Sequence, residues 1–123
     1  AGQRRLEEAI PHHERAIAIC ERAGLHNEVC PRSRNNLGMA YYRMGRHDDA
    51  RREMEAALAG RRALFGDDHP TVAYSLSTLA NVAAATGDDE RARELSAQAI
   101  ELLERRGLGD TRDTALVRQG LAM

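Results

Sequence analysis

The stretch from Leu37 to Leu58, LGMAYYRMGRHDDARREMEAAL, decides the fold, because its marks return further along the chain. Leu37-Gly38, Tyr41, Gly45, Ala50 and Ala57-Leu58 recur as Leu79-Ala80, Ala83, Gly87, Ala92 and Ala99-Ile100, all at one offset of 42 residues. A fixed period of that size is the mark of stacked repeats, in which each unit buries its apolar face against its neighbours and leaves a long concave surface vacant. The expected class is therefore an all-α solenoid of antiparallel helix hairpins, a scaffold for binding.

Each unit reads as two helices. Leu37, Ala40, Tyr41 and Met44 keep the i, i+3, i+4, i+7 spacing of one helix face, as do Leu79, Val82, Ala83 and Thr86; these are the A helices. Gly45 and Gly87 close them, since glycine tolerates the left-handed conformation just past a helix end. The B helices follow, with stripes Ala50, Met54, Ala57, Leu58 and Ala92, Leu95, Ala99, Ile100, Leu103. Asp48-Asp49 and Asp88-Asp89-Glu90 stand at their starts, and Arg61-Arg62 and Arg105-Arg106 at their ends. Both placements oppose the helix dipole favourably.

The same layout extends outward. Glu7-Glu8-Ala9 precedes Ala16-Ile17 and ends at Arg22 with Gly24 as the stop, a B helix without its A partner. Pro11 costs a hydrogen bond inside a helix, so regular helix is expected to start near Glu7 or to bend at Ile10-Pro11. Pro70 suits a first helical position with Asp68 or His69 as the cap, and Pro31 and Asp110-Thr111 are read as similar starts. Asp113 to Met123 fits a further A helix. The expected organisation is one solenoid domain over 1–123, ordered B, A-B, A-B, A: an incomplete repeat at 1–24, repeats at 28–66 and 67–107, and at 110–123 a new repeat or a capping helix. Such an array reads as a piece of a longer one, or as a chain that completes its core by self-association.

Composition narrows the function. The 123 residues are 42% hydrophobic and 30% charged, ordinary for one globular domain, and no run approaches the roughly 18 apolar residues of a spanning helix. Ala1 to Ile10 carries too many charges for a signal peptide, so the expected location is the cytoplasm. A net charge of −1 supplies no field for nucleic acid or an anionic bilayer, which leaves proteins or peptides as partners. All 18 basic residues are arginine, read as codon bias of a GC-rich bacterial genome more than as selection for bidentate contacts. Cys20 and Cys30 are expected to be reduced thiols, with Cys20 on the apolar stripe of Ala16 and Ile17. Aromatic residues make up only 3%, so helices are expected to pack closely on alanine and glycine.

Leu37-Gly38, Tyr41, Gly45, Ala50 and Ala57 have the spacing of the tetratricopeptide repeat, which this chain resembles over nearly its whole length. Gly66-Asp67-Asp68-His69-Pro70-Thr71-Val72-Ala73 is similar to the linker of its longer, kinesin light chain type. The period exceeds the usual one of about 34 residues by about one turn per helix. Arg34 and Leu76 stand where tryptophan is common, and Arg62 and Glu104 where proline is. The resemblance implies a right-handed α-solenoid with a concave groove lined by the A helices, and therefore contact with a bound peptide at Arg32, Asn35, Asn36, Met39, Tyr42 and Arg43, then Tyr74, Ser77, Thr78, Asn81 and Ala84, then Gln119. Asparagines can hold an extended backbone as donor and acceptor at once, tyrosines add flat contact area, and Arg32 with Arg43 favours an acidic ligand.

Other constellations lead nowhere. His12 and His13 point about 100° apart on a helix, and His26 with Cys30 has no second pair at ligand spacing, so no metal is expected. No serine lies in an elbow motif, and Gly107-Leu108-Gly109 follows no strand, so neither catalysis nor a cofactor is expected. The Arg-Arg pairs have acidic neighbours and no aromatic stacking partners, which argues against RNA. The expected function is a peptide- or protein-binding scaffold, a module of a larger bacterial regulatory or assembly protein. The alternative is a self-associating structural module, a dimer or swapped array built through exposed end helices. The repeat type alone also suggests a sensor arm of a signalling ATPase or transcription regulator.

Overall fold

Five helices follow one another in the computed structural model, which describes residues 2–24 and 27–107: α1 (Gly2–Ala23), α2 (Val29–Arg43), α3 (His47–Phe65), α4 (Pro70–Ala85) and α5 (Asp89–Arg105). No strand occurs among the described residues. The chain divides into two compact units, Ala1–Leu64 and Phe65–Met123. The expected final A helix and its Gln119 lie outside the described residues. No helix among those described is long and apolar enough to cross a membrane.

The 42-residue repeat is visible in how the helices begin and end. Asn27 Oδ1 accepts the Val29 N–H at 2.9 Å, and its counterpart His69 accepts the Thr71 N–H through Nδ1 at 3.2 Å, each relieving an orphan donor of the first turn. Pro70 occupies the first helical position of α4 as expected, and Pro31 falls in the first turn of α2. At the other end Gly45 and Gly87 take φ of +80° and +85°, and the following N–H groups of Arg46 and Asp88 reach back to the carbonyls of Tyr41 and Ala83 at 2.8 and 2.9 Å. Both are Schellman closures, which need the left-handed residue that glycine supplies.

In the first unit α1, α2 and α3 run antiparallel to their neighbours. Cys20 meets Cys30 and Glu21 meets Arg34 between α1 and α2. Between α2 and α3, Arg61 meets Glu28 at 3.2 Å and Arg34 meets Glu53 at 3.1 Å, so rising numbers on one helix face falling numbers on the other. Leu37, Ala40, Tyr41, Ala50, Met54, Ala57 and Leu58 are buried there. In the second unit α4 and α5 pair, with Val72, Leu76, Leu79, Val82, Leu95, Ala99, Leu102 and Leu103 buried. Arg105 at the end of α5 reaches Asp68 just before α4 at 2.8 Å, the sign of an antiparallel pair.

Two expectations are corrected. Helix α1 starts at Gly2, well before Glu7, and carries Pro11 inside it. Pro11 and Glu7 are both exposed, so the Glu7 carbonyl that loses its N–H partner can turn to water, which softens the penalty of an interior proline. The cysteines are not reduced thiols: Cys20 and Cys30 form a disulfide with Cα atoms 5.8 Å apart. The cause is the hairpin, which sets the last turn of α1 beside the first turn of α2 at ordinary disulfide separation.

The α1 helix also carries a pH response. Burial, and after it the charge of His12, holds the His13 imidazole below its ordinary 6.5. The unfolded chain therefore binds the proton more readily than the folded one. Stability from this group is complete above about pH 6.5 and declines as the pH falls below it. Melting temperatures should drop between pH 7 and 5.5, and His13→Gln should lessen that drop.

Candidate peptide-binding faces

Charge is divided sharply between A and B helices. Helix α2 holds Arg32, Arg34 and Arg43 and no acid, and α4 holds no charged residue at all. Arg34 is committed inside its unit, held by Glu21 and by Glu53. Arg32, Asn36 and Arg43 are exposed and Met39 is half-buried, at i, i+4, i+11 and i+7, so they form one stripe along α2. Eleven residues of helix rise about 16 Å, which is the reach between the two arginine positions.

The other expected contacts are placed unequally. Tyr42 is half-buried, its ring tilted against His47 with centroids 5.5 Å apart. Asn35 is 2% exposed and Thr78 is 4% exposed, so both face the packed interior, and the Thr78 hydroxyl donates to the Ser75 carbonyl at 2.9 Å. On α4 Tyr74 is 53% exposed, Asn81 and Ala84 are exposed, and Ser77 is half-buried with its hydroxyl donating to the Tyr74 carbonyl at 2.8 Å. Tyr74, Ser77, Asn81 and Ala84 therefore share one face at i, i+3, i+7 and i+10.

Three features escaped the sequence. Arg46 lies over the Tyr41 ring at 4.4 Å, a cation–π contact at the hairpin turn. Burial first, then the charge of Glu14 on α1, pushes the Tyr41 hydroxyl above its usual value, while Arg46 pulls the other way. Arg61, at the end of a B helix, is buried with its side chain only 5% exposed. The disulfide had a signal: one cysteine on an apolar stripe before a helix stop and another at the start of the next helix.

Comparison with known proteins agrees with this architecture. A family model described as tetratricopeptide repeat matches residues 29–105, and a second of the same description matches residues 1–23. The chain belongs to the tetratricopeptide repeat family, whose members are typically non-catalytic scaffolds that engage other proteins. No curated protein sequence matches it. Two solved structures from Podosopora anserina, titled "putative kinesin light chain nearly identical TPR-like repeats" and one of them a singly substituted form, superpose with TM-scores of 0.83 and 0.82. Each is 22% identical and covers 98% of this chain, which in turn spans 58% of theirs, so the likeness is one of fold.

Proposed function

We propose that the chain is a protein–protein interaction scaffold, a module of a larger bacterial regulatory or assembly protein, that holds a peptide or protein segment in the concave groove lined by its A helices. One observation carries the reading. The side chains of Arg32, Asn36 and Arg43 on α2 and of Asn81 on α4 are exposed and engaged by no other group among the described residues. The B helices differ, since Arg51, Arg52, Arg91 and Arg105 are paired with nearby carboxylates, Arg93 being the exception. Polar groups left unspent on the A helices are what a backbone-reading face requires.

An extended segment advances about 3.3 Å per residue, so the α2 stripe spans about five residues of ligand. Carboxylates near the two ends would meet Arg32 and Arg43, and Asn36 between them would hold a backbone amide through both its donor and its acceptor. Self-association would draw instead on exposed apolar residues such as Ile19 and Val29, 51% and 40% exposed, so substitutions at the asparagines separate the two readings.

The test is selection of peptides from a displayed library on the full chain, followed by titration of a selected peptide. Asn36→Ala with Asn81→Ala should weaken binding by about 10-fold, from about 0.5–1.5 kcal/mol per lost hydrogen bond, with circular dichroism unaltered because both residues are exposed. Unaltered affinity would remove the proposal.

A further inference from the structure

We propose that the Cys20–Cys30 disulfide is a redox-operated latch: it holds α1 against α2, and its reduction by a thiol of the glutathione class frees α1 while the α2–α3 hairpin stays packed. The two sides of the bond are held very differently. Of the α1 side chains described, only Ile17 and Cys20 are buried; Leu6, Ala9, Ile10, His13, Ala16 and Ala18 are half-buried and Ile19 is 51% exposed. Beyond the disulfide and this partly buried apolar face, α1 is tied to α2 by the ion pair of Arg34 with Glu21, whose side chain is 61% exposed and so contributes little. The hairpin has its own supports: Gly38 against Met54, Gly60 against Pro31, and the ion pairs of Arg34 with Glu53 and Arg61 with Glu28. Losing the cross-link therefore acts on one helix and spares the other two.

The exchange runs in a defined order. Cys20 is 3% exposed whereas Cys30 is half-buried, so an incoming thiolate attacks Cys30 Sγ. The sulfur–sulfur bond breaks, Cys20 leaves as a thiolate and takes a proton, and Cys30 carries a mixed disulfide. A second thiol attacks that mixed disulfide at the small-molecule sulfur and releases Cys30. Two thiols are oxidised to one small disulfide, and the two electrons and two protons end on the two cysteines. Bonded residues ten apart in sequence restrict the opened chain enough to shift the α1 opening equilibrium by about 100-fold in the loop-entropy account. With α1 released, the α2 face that continues from Cys30 and Arg34 through Leu37 and Tyr41 is uncovered, since these lie at i, i+4, i+7 and i+11.

Hydrogen exchange on the full chain, oxidised and after reduction with a phosphine, reads the latch. Amides of α1 should exchange about 100-fold faster in the reduced protein, those of α3 should not change, and Cys20→Ser/Cys30→Ser should behave as the reduced form without reductant. In Cys20→Ser alone, glutathione disulfide should form an adduct at Cys30. Equal protection of α1 in both redox states would overturn the latch. So would a bond that persists in glutathione buffers of cytosolic composition, which makes it a permanent cross-link, or two free thiols in protein refolded under oxygen. A mixed disulfide trapped on Cys20 instead of Cys30 during reduction of the oxidised protein would overturn the order of attack.

Discussion

Gly38→Ala should destabilise the protein by about 1–2 kcal/mol, although alanine is the better helix former by about 1 kcal/mol. A Cβ on Gly38 falls 2.8 Å from Met54 Cγ and 3.1 Å from the Ala50 carbonyl oxygen. Met54 is fully buried with nowhere to swing, and the carbonyl belongs to the backbone of α3. The helices must then part by a few tenths of an ångström, and the close approach that fills the core around Ala50, Met54 and Ala57 is lost. The second repeat shows the compensating solution, because its counterparts at the 42-residue offset are Ala80 and Ser96, both buried. There a larger residue on the A helix accompanies a smaller one on the B helix. Met54→Ser alone should cost about 2–5 kcal/mol by opening a cavity. The double variant should be more stable than the sum of the single effects by at least about 1 kcal/mol, measured by urea unfolding. Strict additivity would mean that the two side chains do not share the space.

That pair also shows how far the sequence can be read. The period, the helix stops at Gly45 and Gly87, and the proline start of α4 were all legible, because each depends on local backbone geometry that few residues satisfy. The A-helix faces were only partly legible. A single apolar stripe was read for each A helix, yet α4 buries Ser75 and Thr78 beside its leucines and valines. The buried face of α4 is therefore wider than one apolar stripe and takes in polar positions that a one-stripe reading leaves in solvent. Thr78 tolerates this by returning its hydroxyl to the carbonyl one turn back; both it and the buried Asn35 were expected as ligand contacts because the resemblance places them on the groove face. The expected helix start near Glu7 failed for a different reason, since the rule against interior proline carries a cost of about 3 kcal/mol that an exposed helix side can absorb.

Arg61→Ala should cost about 3 kcal/mol, more than any other arginine in the described residues. Its guanidinium is 3.2 Å from Glu28, and Glu28 Oε2 is buried with no hydrogen-bond partner among the described residues. Removing the cation leaves a carboxylate in a site that water reaches poorly, and such half-broken pairs cost about 3–5 kcal/mol; the side chain of Glu28 is 31% exposed, which places the effect at the lower end. The intact pair need not be worth nearly so much, because both charges were dehydrated to form it. The chain supplies its own comparison: the counterparts of Glu28 and Arg61 in the second repeat are Pro70 and Leu103, an apolar pair, with Leu103 2% exposed. Glu28→Gln/Arg61→Leu should therefore lie within about 1 kcal/mol of the parent while Arg61→Leu alone does not, in the same urea experiment. If single and double variants lose equal stability, the arginine acts through its other contacts and its partnership with Glu28 is incidental. If the double variant recovers, the two repeats are one backbone solution filled once with an ion pair and once with hydrocarbon, and the choice between them has little bearing on whether the hairpin folds.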